Sequence, residues 1–566
     1  MLAVSKSRTT LRYLRCSRCL AKRRTHSSSA PEHCDVLVVG GGPAGLAFAA
    51  ALGSSKRVQD SLRVVLVEAS DLSKVKQWSL PDGYSNRVSS ITNASRGFLQ
   101  DIGAWSHVEE TRTRPVEEMQ VWDGVSDARI TFSASELLSP QPISELSRLT
   151  ENLNMQRGLL HRISSLPSIE VTDKVKVTSI LQDSQDGSDW PLVHLSDGRV
   201  IRTRLLVGAD GPNSPVRSYA GIQSYGWAYD THAIVGTLLH APRGPYSPPN
   251  TTAYQRFLPT GPIAFLPLSE TASSMVWSTK PPLTAALKAV EPSVLVALIN
   301  AAFRLPEVSI RYLHSRILEA QEKGTPTTLE ELREELAFRE QSHSIDSHSA
   351  HSSLMTPEEA SGIPPEGADN FPPLVTSIQP GTVASFPLRL SHAESYVGEG
   401  KGARTVLVGD AAHTIHPLAG QGLNLGLADA EALAECIDQA VAGGLDIGSY
   451  TALLPYPRNR YLENHKMLSA VDKLHKLYST TAEPVVWARS VGLEVVNELD
   501  TVKTALMMSA GSHRTNGSQV GWDLAAKGVE SVARNLHSAR ILGEGMAGMA
   551  GAGVQQLLRQ ATTPRR

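Results

Sequence analysis

Residues 34–69 read CDVLVVGGGPAGLAFAAALGSSKRVQDSLRVVLVEA. The first six residues form a short, β-branched run of the kind that fills a buried parallel strand. Gly40, Gly42 and Gly45 then supply the glycines of GxGxxG. The first permits a tight turn, the second lets a pyrophosphate approach the backbone, and the third lets the next helix pack closely on the strand. A helix starting at Pro43 turns its free N–H groups and positive dipole end toward that pyrophosphate. A second strand over 63–67 ends at Glu68, a carboxylate placed to hold a ribose hydroxyl. The gap from glycines to acid exceeds the usual ~20 residues, so 54–62 reads as a loop insertion. Strand, turn, helix, strand and acid in this order predict a dinucleotide site. Residues 36–55 carry no charge and are long enough to imitate a membrane span, but the glycine cluster marks a buried βα unit.

The chain has 566 residues, enough for two or more domains, with 41% hydrophobic and 19% charged residues. A net charge of −2 gives no reason to expect nucleic-acid binding. The charge is unevenly placed: residues 1–30 hold eight Lys or Arg and no acid, so removing them takes the net from −2 to −10. A basic, acid-free, Ser/Thr-bearing segment predicts a mitochondrial transit peptide, cleaved between Arg24 and His33. The cysteines are few (Cys16, Cys19, Cys34, Cys436), and none of their spacings makes a disulfide framework or a paired metal motif.

Further along, Arg87 precedes a short helix with Phe98, Leu99 and Ile102, for which Asn93 is the expected cap. Alternation over 116–132 predicts strands of a second sheet, and 152–163 a helix with Gln156 and Arg157 turned away from Leu159 and Leu160. Residues 171–197 read as paired strands with turns at Asp186-Gly187 and Asp197-Gly198. At 205–217, LLVGADGPNSPVR, an apolar strand delivers Asp210 to a helix start. Thr327 and Glu330 predict a capping pattern for the helix that follows. Residues 341–373 are polar and poor in apolar groups, and predict a flexible insertion; its His343, His348 and His351 read as part of a polar run. The most informative segment is 405–429, TVLVGDAAHTIHPLAGQGLNLGLAD. A strand delivers Asp410, a loop carries His413, His416 and Pro417, and Gly420-Gln421-Gly422 opens a long helix to about residue 441. The positive end of that helix would stabilise negative charge held by the loop. His413 and His416 lack an accompanying third ligand, so no metal is expected. Further helices are expected over 450–478 and 485–506, and residues from 510 on read either as an amphipathic surface helix or as an irregular tail.

GGGPAG at Gly40, GADGPNSPVR at Gly208 and GDAAHTIHPLAGQGLN at Gly409 resemble the three fingerprints of the class A flavoprotein aromatic hydroxylases. HPLAGQGLNLG resembles their ubiquinone-biosynthesis branch in particular, and the likeness spans residues 35–511 apart from the insertion. The resemblance implies an α/β protein: a GxGxxG, Rossmann-like FAD-binding domain (34–115, 150–222 and 400–450) beside a mostly antiparallel substrate sheet (116–149 and 223–399). C-terminal helices (451–511) and a tail of unassigned role (512–566) complete it. It implies FAD as cofactor, with Gly40, Gly42, Gly45 and Glu68 on the ADP half, Arg87 and Gln156 at the linker, Asp210 at the pyrophosphate and Asp410 at the ribityl chain. Pro417, Gly420, Gln421, Gly422, Leu423 and Asn424 would border the isoalloxazine.

The implied reaction is hydroxylation with O2, through a flavin C4a-hydroperoxide, at C5 of a polyprenylated 4-hydroxybenzoate-type ring. The chemistry would belong to the cofactor, which fits the lack of any evident nucleophile, triad or carboxylate pair. The branch implies a ferredoxin and its reductase as electron donor over NADPH, for which no second dinucleotide motif is present. It also implies a place in a ubiquinone-synthesis complex and peripheral contact with the matrix face of the inner membrane. Ala428 stands where bacterial relatives carry an arginine, so no salt bridge is expected there. Rival readings are a flavin monooxygenase of another phenol, a prenyl-lipid reductase, or a non-catalytic flavoprotein scaffold.

Overall fold

The computed structural model describes residues 30–78, 83–136, 144–183, 189–243, 248–355, 364–498 and 503. The transit-peptide segment with Cys16 and Cys19, the Asp186-Gly187 turn and the 512–566 tail lie outside the described residues.

The β-branched strand Glu32–Val39 is the centre of a seven-stranded sheet. It pairs in parallel with Val64–Val67 on one side and Val200–Gly208 on the other. Ile169–Thr172 and Thr405–Leu407 extend the parallel set, so five strands point the same way. Trp190–Leu195 and Val177–Asp183 complete the sheet in antiparallel fashion. Val36, Leu37 and Val38 are fully buried, as a strand covered on both faces requires. The helix Pro43–Ser54 packs with Asn152–Ser164 and with the long helix Gly422–Ala442.

A second, nine-stranded sheet is mostly antiparallel, with one parallel pairing between Thr252–Leu258 and Glu118–Asp123. Its spine is the 17-residue strand Ser224–His240. Trp122, Trp277, Phe265 and Phe303 build the core between this sheet and the helices that follow it. A third sheet of three strands, Val88–Thr92, Ser147–Glu151 and Thr113–Val116, was not legible in sequence. Its strands Thr113–Val116 and Ser147–Glu151 span 115/116 and 149/150.

Several local expectations shift. The 54–62 stretch holds a helix, Lys56–Ser61, in place of an open loop. Thr92, not Asn93, caps the next helix: its hydroxyl accepts from the Ser95 N–H at 3.3 Å. The capping box is Thr328 with Glu331, one residue beyond the expected pair. The 341–373 segment, expected to be flexible, packs over its described parts. Ala350, Ser352, Ser353 and Phe371 are buried. The Glu340 carboxylate accepts from Ser352 Oγ at 2.9 Å and from Ser353 N and Oγ at 2.7 Å each. Hydrogen bonds to one buried carboxylate here replace the apolar area that the composition lacks.

Helix Pro455–Tyr478 lies along Gly422–Ala442, and helix Glu483–Glu498 lies on the strand Arg129–Ser133 of the second sheet. Arg489 holds the latter through a buried, two-point pair with Asp123 at 2.8 and 2.9 Å. On the first sheet, Asp446 accepts from Arg204 Nε at 2.7 Å and Arg404 Nη2 at 2.6 Å, tying two neighbouring strands to the loop after the long helix. Burial pushes the Asp446 carboxyl up, but the two arginines outweigh it and leave it at about 2, against an ordinary 3.8. A depressed carboxyl contributes stability above its unfolded value, and that contribution fades as pH falls from 3.8 toward about 2. Asp446→Asn is expected to cost about 1 kcal/mol at pH 7 after allowance for solvent screening. Urea melts at pH 7 and pH 3 should show the difference shrinking at the lower pH.

Candidate functional site: the carboxyl ends of the parallel strands

Parallel strands deliver their carboxyl ends to one edge of the sheet, where ligands of open α/β folds bind. Here that edge gathers Gly40, Glu68, Asp210 and Asp410, from strands ending at Val39, Val67, Gly208 and Leu407. Backbone bonds lock the turns together: Gly40 N donates to Val67 O, Ala209 N to Val39 O and Val408 N to Gly208 O, at 2.8–3.0 Å.

The three glycines of the first turn do different things. Gly40 sits at φ +112°, and a Cβ there would stand 2.2 Å from the Ala209 carbonyl oxygen. A Cβ on Gly45 would stand 2.1 Å from Gly40 O. Both are excluded by sterics. A Cβ on Gly42 meets nothing within 4 Å, so this glycine faces open space at the start of the helix Pro43–Ser54. No side chain caps that helix, so its first N–H groups stay available to an anion. Glu68 accepts from Gly41 N at 2.5 Å and from Ser70 N at 2.7 Å, which holds the carboxylate beside the glycine turn.

Asp210 accepts from Val216 N at 3.2 Å through one oxygen, while its other oxygen is buried with no partner among the described residues. Burial pushes its carboxyl up. Asp410 is exposed, and the protein around it raises its carboxyl too. Gln156 Nε2 reaches the Gly41 carbonyl at 3.4 Å. One turn earlier on the same helix, Asn152 N donates to the Arg87 carbonyl at 3.0 Å. The Arg87 side chain itself is exposed.

The third motif folds back against the first. Gly409 has φ +59°, and its Cβ position lies 3.2 Å from Ala44 Cβ, inside the glycine helix. Pro417–Ala419 make one 3-10 turn, Gly420 adopts φ +61°, and Gln421 is the N-cap of the long helix, again with no side-chain cap. Gly422 and Leu423 form its first turn. Asn424 is buried and stitches this helix to Val88–Thr92: it accepts from Thr92 N at 3.0 Å and donates to Ser90 O at 2.8 Å. His413 and His416 turn to different partners, His413 to Asp429 at 2.6 Å and His416 to the Leu418 N–H at 3.1 Å.

Two buried charge clusters escaped sequence reasoning. Asp429 lies beside Ala428 and is fully buried, and its oxygens accept from Gly409 N, His413, Arg460 and Asn464. Burial alone would raise this carboxyl; His413 and Arg460 more than reverse that and hold it well below the usual range. Glu151, also fully buried, pairs with Arg112 and takes Ser85 N, fixing the segment ahead of Arg87. The signal available for Asp429 was a lone acid in the first two turns of its helix, GLNLGLADA, since a buried charge requires a partner.

Residues 33–325 and 375–453 match the family model described as FAD binding domain, which makes the chain an FAD-dependent flavoprotein. The fold is shared with p-nitrophenol 4-monooxygenase PnpA from Pseudomonas putida (TM-score 0.55, 17% identity, 86% of this chain and 100% of that one). It is shared as well with PqsL of Pseudomonas aeruginosa (TM-score 0.53, 20% identity, 82% and 100%). The mitochondrial ubiquinone biosynthesis monooxygenase COQ6 of Saccharomyces cerevisiae is 38% identical over 497 residues, covering 86% of this chain and 96% of the yeast protein. The Homo sapiens protein of the same name is 35% identical over 494 residues, covering 86% and 94%. The chain belongs to this family of ubiquinone biosynthesis monooxygenases.

The site's residues fit FAD: an open glycine at an uncapped helix start, an unpartnered buried carboxylate oxygen on Asp210, and a second uncapped helix start at Gln421. Gly42→Ala should leave the apoprotein within about 0.5 kcal/mol of wild type while weakening FAD. Gly45→Ala, forced against backbone, should cost about 2 kcal/mol or more before any cofactor is added. Thermal melts of apoprotein and titration of FAD fluorescence check both.

Proposed function

We propose that this protein is the mitochondrial, FAD-dependent monooxygenase that hydroxylates C5 of a polyprenylated 4-hydroxybenzoate-type ring during ubiquinone synthesis. The observation that carries the reading is identity of 35–38% to yeast and human ubiquinone biosynthesis monooxygenases across nearly their whole length. Bound FAD supplies the chemistry, activating O2 for transfer of one oxygen to an electron-rich ring.

The chain's own residues bind, orient and exclude water. Gly40, Gly42, Gly45 and Glu68 take the ADP half, Asp210 the pyrophosphate through its free oxygen, and Asp410 the ribityl chain. Gln156 and Arg87 border the linker between them. Pro417, Gly420, Gln421, Gly422, Leu423 and Asn424 border the isoalloxazine, with the positive end of the long helix beside it. Ile415 and Leu418, from the loop, pack with Tyr229, Ala233, Leu388 and Leu390 of the second sheet. This apolar layer keeps water from the reacting centre, where it would divert activated oxygen to peroxide. The second sheet then holds the ring, and its prenyl tail extends toward the bilayer.

Among the described residues no helix is long and apolar enough to cross a membrane, so attachment to the inner membrane's matrix face is peripheral in this reading. Electrons come from a ferredoxin and its reductase, in keeping with the single dinucleotide motif, and the enzyme works within a ubiquinone-synthesis complex.

Mass spectrometry of quinone-pathway lipids from cells lacking the protein should show loss of ubiquinone and a build-up of prenylated ring without the C5 oxygen. Asp410→Ala protein should fail to restore it. Normal ubiquinone in those cells would sink the assignment. With purified protein, ferredoxin and reductase should support turnover and NADPH alone should not.

A further inference from the structure

Tyr456, Arg460 and Asn464 are four residues apart and so share one face of the helix Pro455–Tyr478. All three reach the segment that carries Asp410. Tyr456 is buried and its hydroxyl donates to the Leu407 carbonyl at 2.8 Å, at the end of the strand leading into the turn. Arg460 Nε and Asn464 Nδ2 donate to Asp429 Oδ1 at 3.0 and 2.9 Å. Asp429 Oδ2 passes the constraint on, accepting from Gly409 N at 3.1 Å and His413 Nε2 at 2.6 Å. Arg460 Nη2 also donates to Asn464 Oδ1 at 2.7 Å, and Asn464 Nδ2 to the Tyr396 hydroxyl at 3.0 Å, so neither side chain is free to turn away.

The turn being held closes on one backbone hydrogen bond of its own, Ala412 N to Gly409 O at 2.8 Å, and Arg217 Nη1 donates to its Ala411 carbonyl at 2.7 Å. Gly409 lies in the left-handed region at φ +59°, and the 3-10 turn Gly409–Ala411 is only one turn long. Asp429 has both oxygens engaged twice, with no accessible surface, so losing a donor leaves a buried charge short of partners with no water to replace them. The carboxylate must then either shift or take up a proton, and either change weakens its hold on Gly409 N.

We propose that Tyr456, Arg460 and Asn464 are positioning residues for the flavin: through Asp429 and Leu407 they clamp the Gly409–Asp410 turn in the place where it meets the cofactor. The helix Pro455–Tyr478 is thereby part of the FAD site. The inference rests on the reading that Asp410 faces the ribityl chain.

The test is FAD affinity of apoprotein, read by flavin fluorescence and set beside the apoprotein's melting temperature. Arg460→Met should weaken FAD about ten-fold or more, in line with groups that orient direct ligands at metal sites, and Arg460→Lys should recover part of it. Tyr456→Phe removes one hydroxyl, keeps the ring, and should weaken FAD about three-fold, the worth of one hydrogen bond. Arg489→Met is the control, because it breaks a buried pair of the same kind on the second sheet. It should lower the melting temperature and leave FAD affinity as it was. Wild-type affinity in both Arg460→Met and Tyr456→Phe, or an equal loss in Arg489→Met, overturns the clamp. Wild-type affinity in Asp410→Ala overturns the placement of the turn at the flavin instead, and the inference with it.

Discussion

Gly40 and Gly45 leave no space for a side chain, and the rest of the structure depends on that closeness. The Cβ positions of these glycines lie within 2.2 Å of backbone oxygens, those of Ala209 and of Gly40 itself. Three strand ends and one helix start can therefore share a volume that side chains would otherwise fill. The sheet converts this local economy into a site, because parallel strands present all their carboxyl ends at one edge. Glu68, Asp210 and Asp410 meet there although they lie more than three hundred residues apart at the extremes.

Buried charges with partners on other elements tie the two sheets and their helices together. Asp429 takes Arg460, Glu151 takes Arg112, and Asp123 takes Arg489. Each pair joins elements that hydrophobic packing alone would let slide, since apolar contact has no direction and a hydrogen-bonded ion pair does. Through Arg489 and Arg460 the two C-terminal helices grip opposite bodies, one the second sheet and the other the cofactor loop. Of the two, only the helix that carries Arg460 reaches the Asp429 cluster beside the Gly409 turn.

Much of this was legible in the sequence, and the misses have a common cause. The glycine motif, the acid after the second strand, Asp210 and Asp410 could be read because each depends on residues adjacent in sequence. The caps were displaced by one residue, from Asn93 to Thr92 and from Thr327 to Thr328, because neighbouring polar residues compete equally until the helix direction is set. The 341–373 segment looked unable to fold, since its composition does not show that Glu340 waits to accept three hydrogen bonds from it.

By itself the sequence determined a parallel α/β unit with a dinucleotide turn, a second sheet with antiparallel alternation, and the three motifs of a flavin hydroxylase. The first two follow from periodicity and from glycine's unique backbone, which are properties of short stretches, and the motifs from their resemblance to that family. Only the tertiary structure decided the three-stranded sheet and the packing of the described parts of 341–373. It alone decided the partnership of Asp429 with Arg460 and Asn464. The energy of a buried charge depends on what surrounds it in space, and nothing in the residues beside Asp429 states that an arginine on the next long helix will be there.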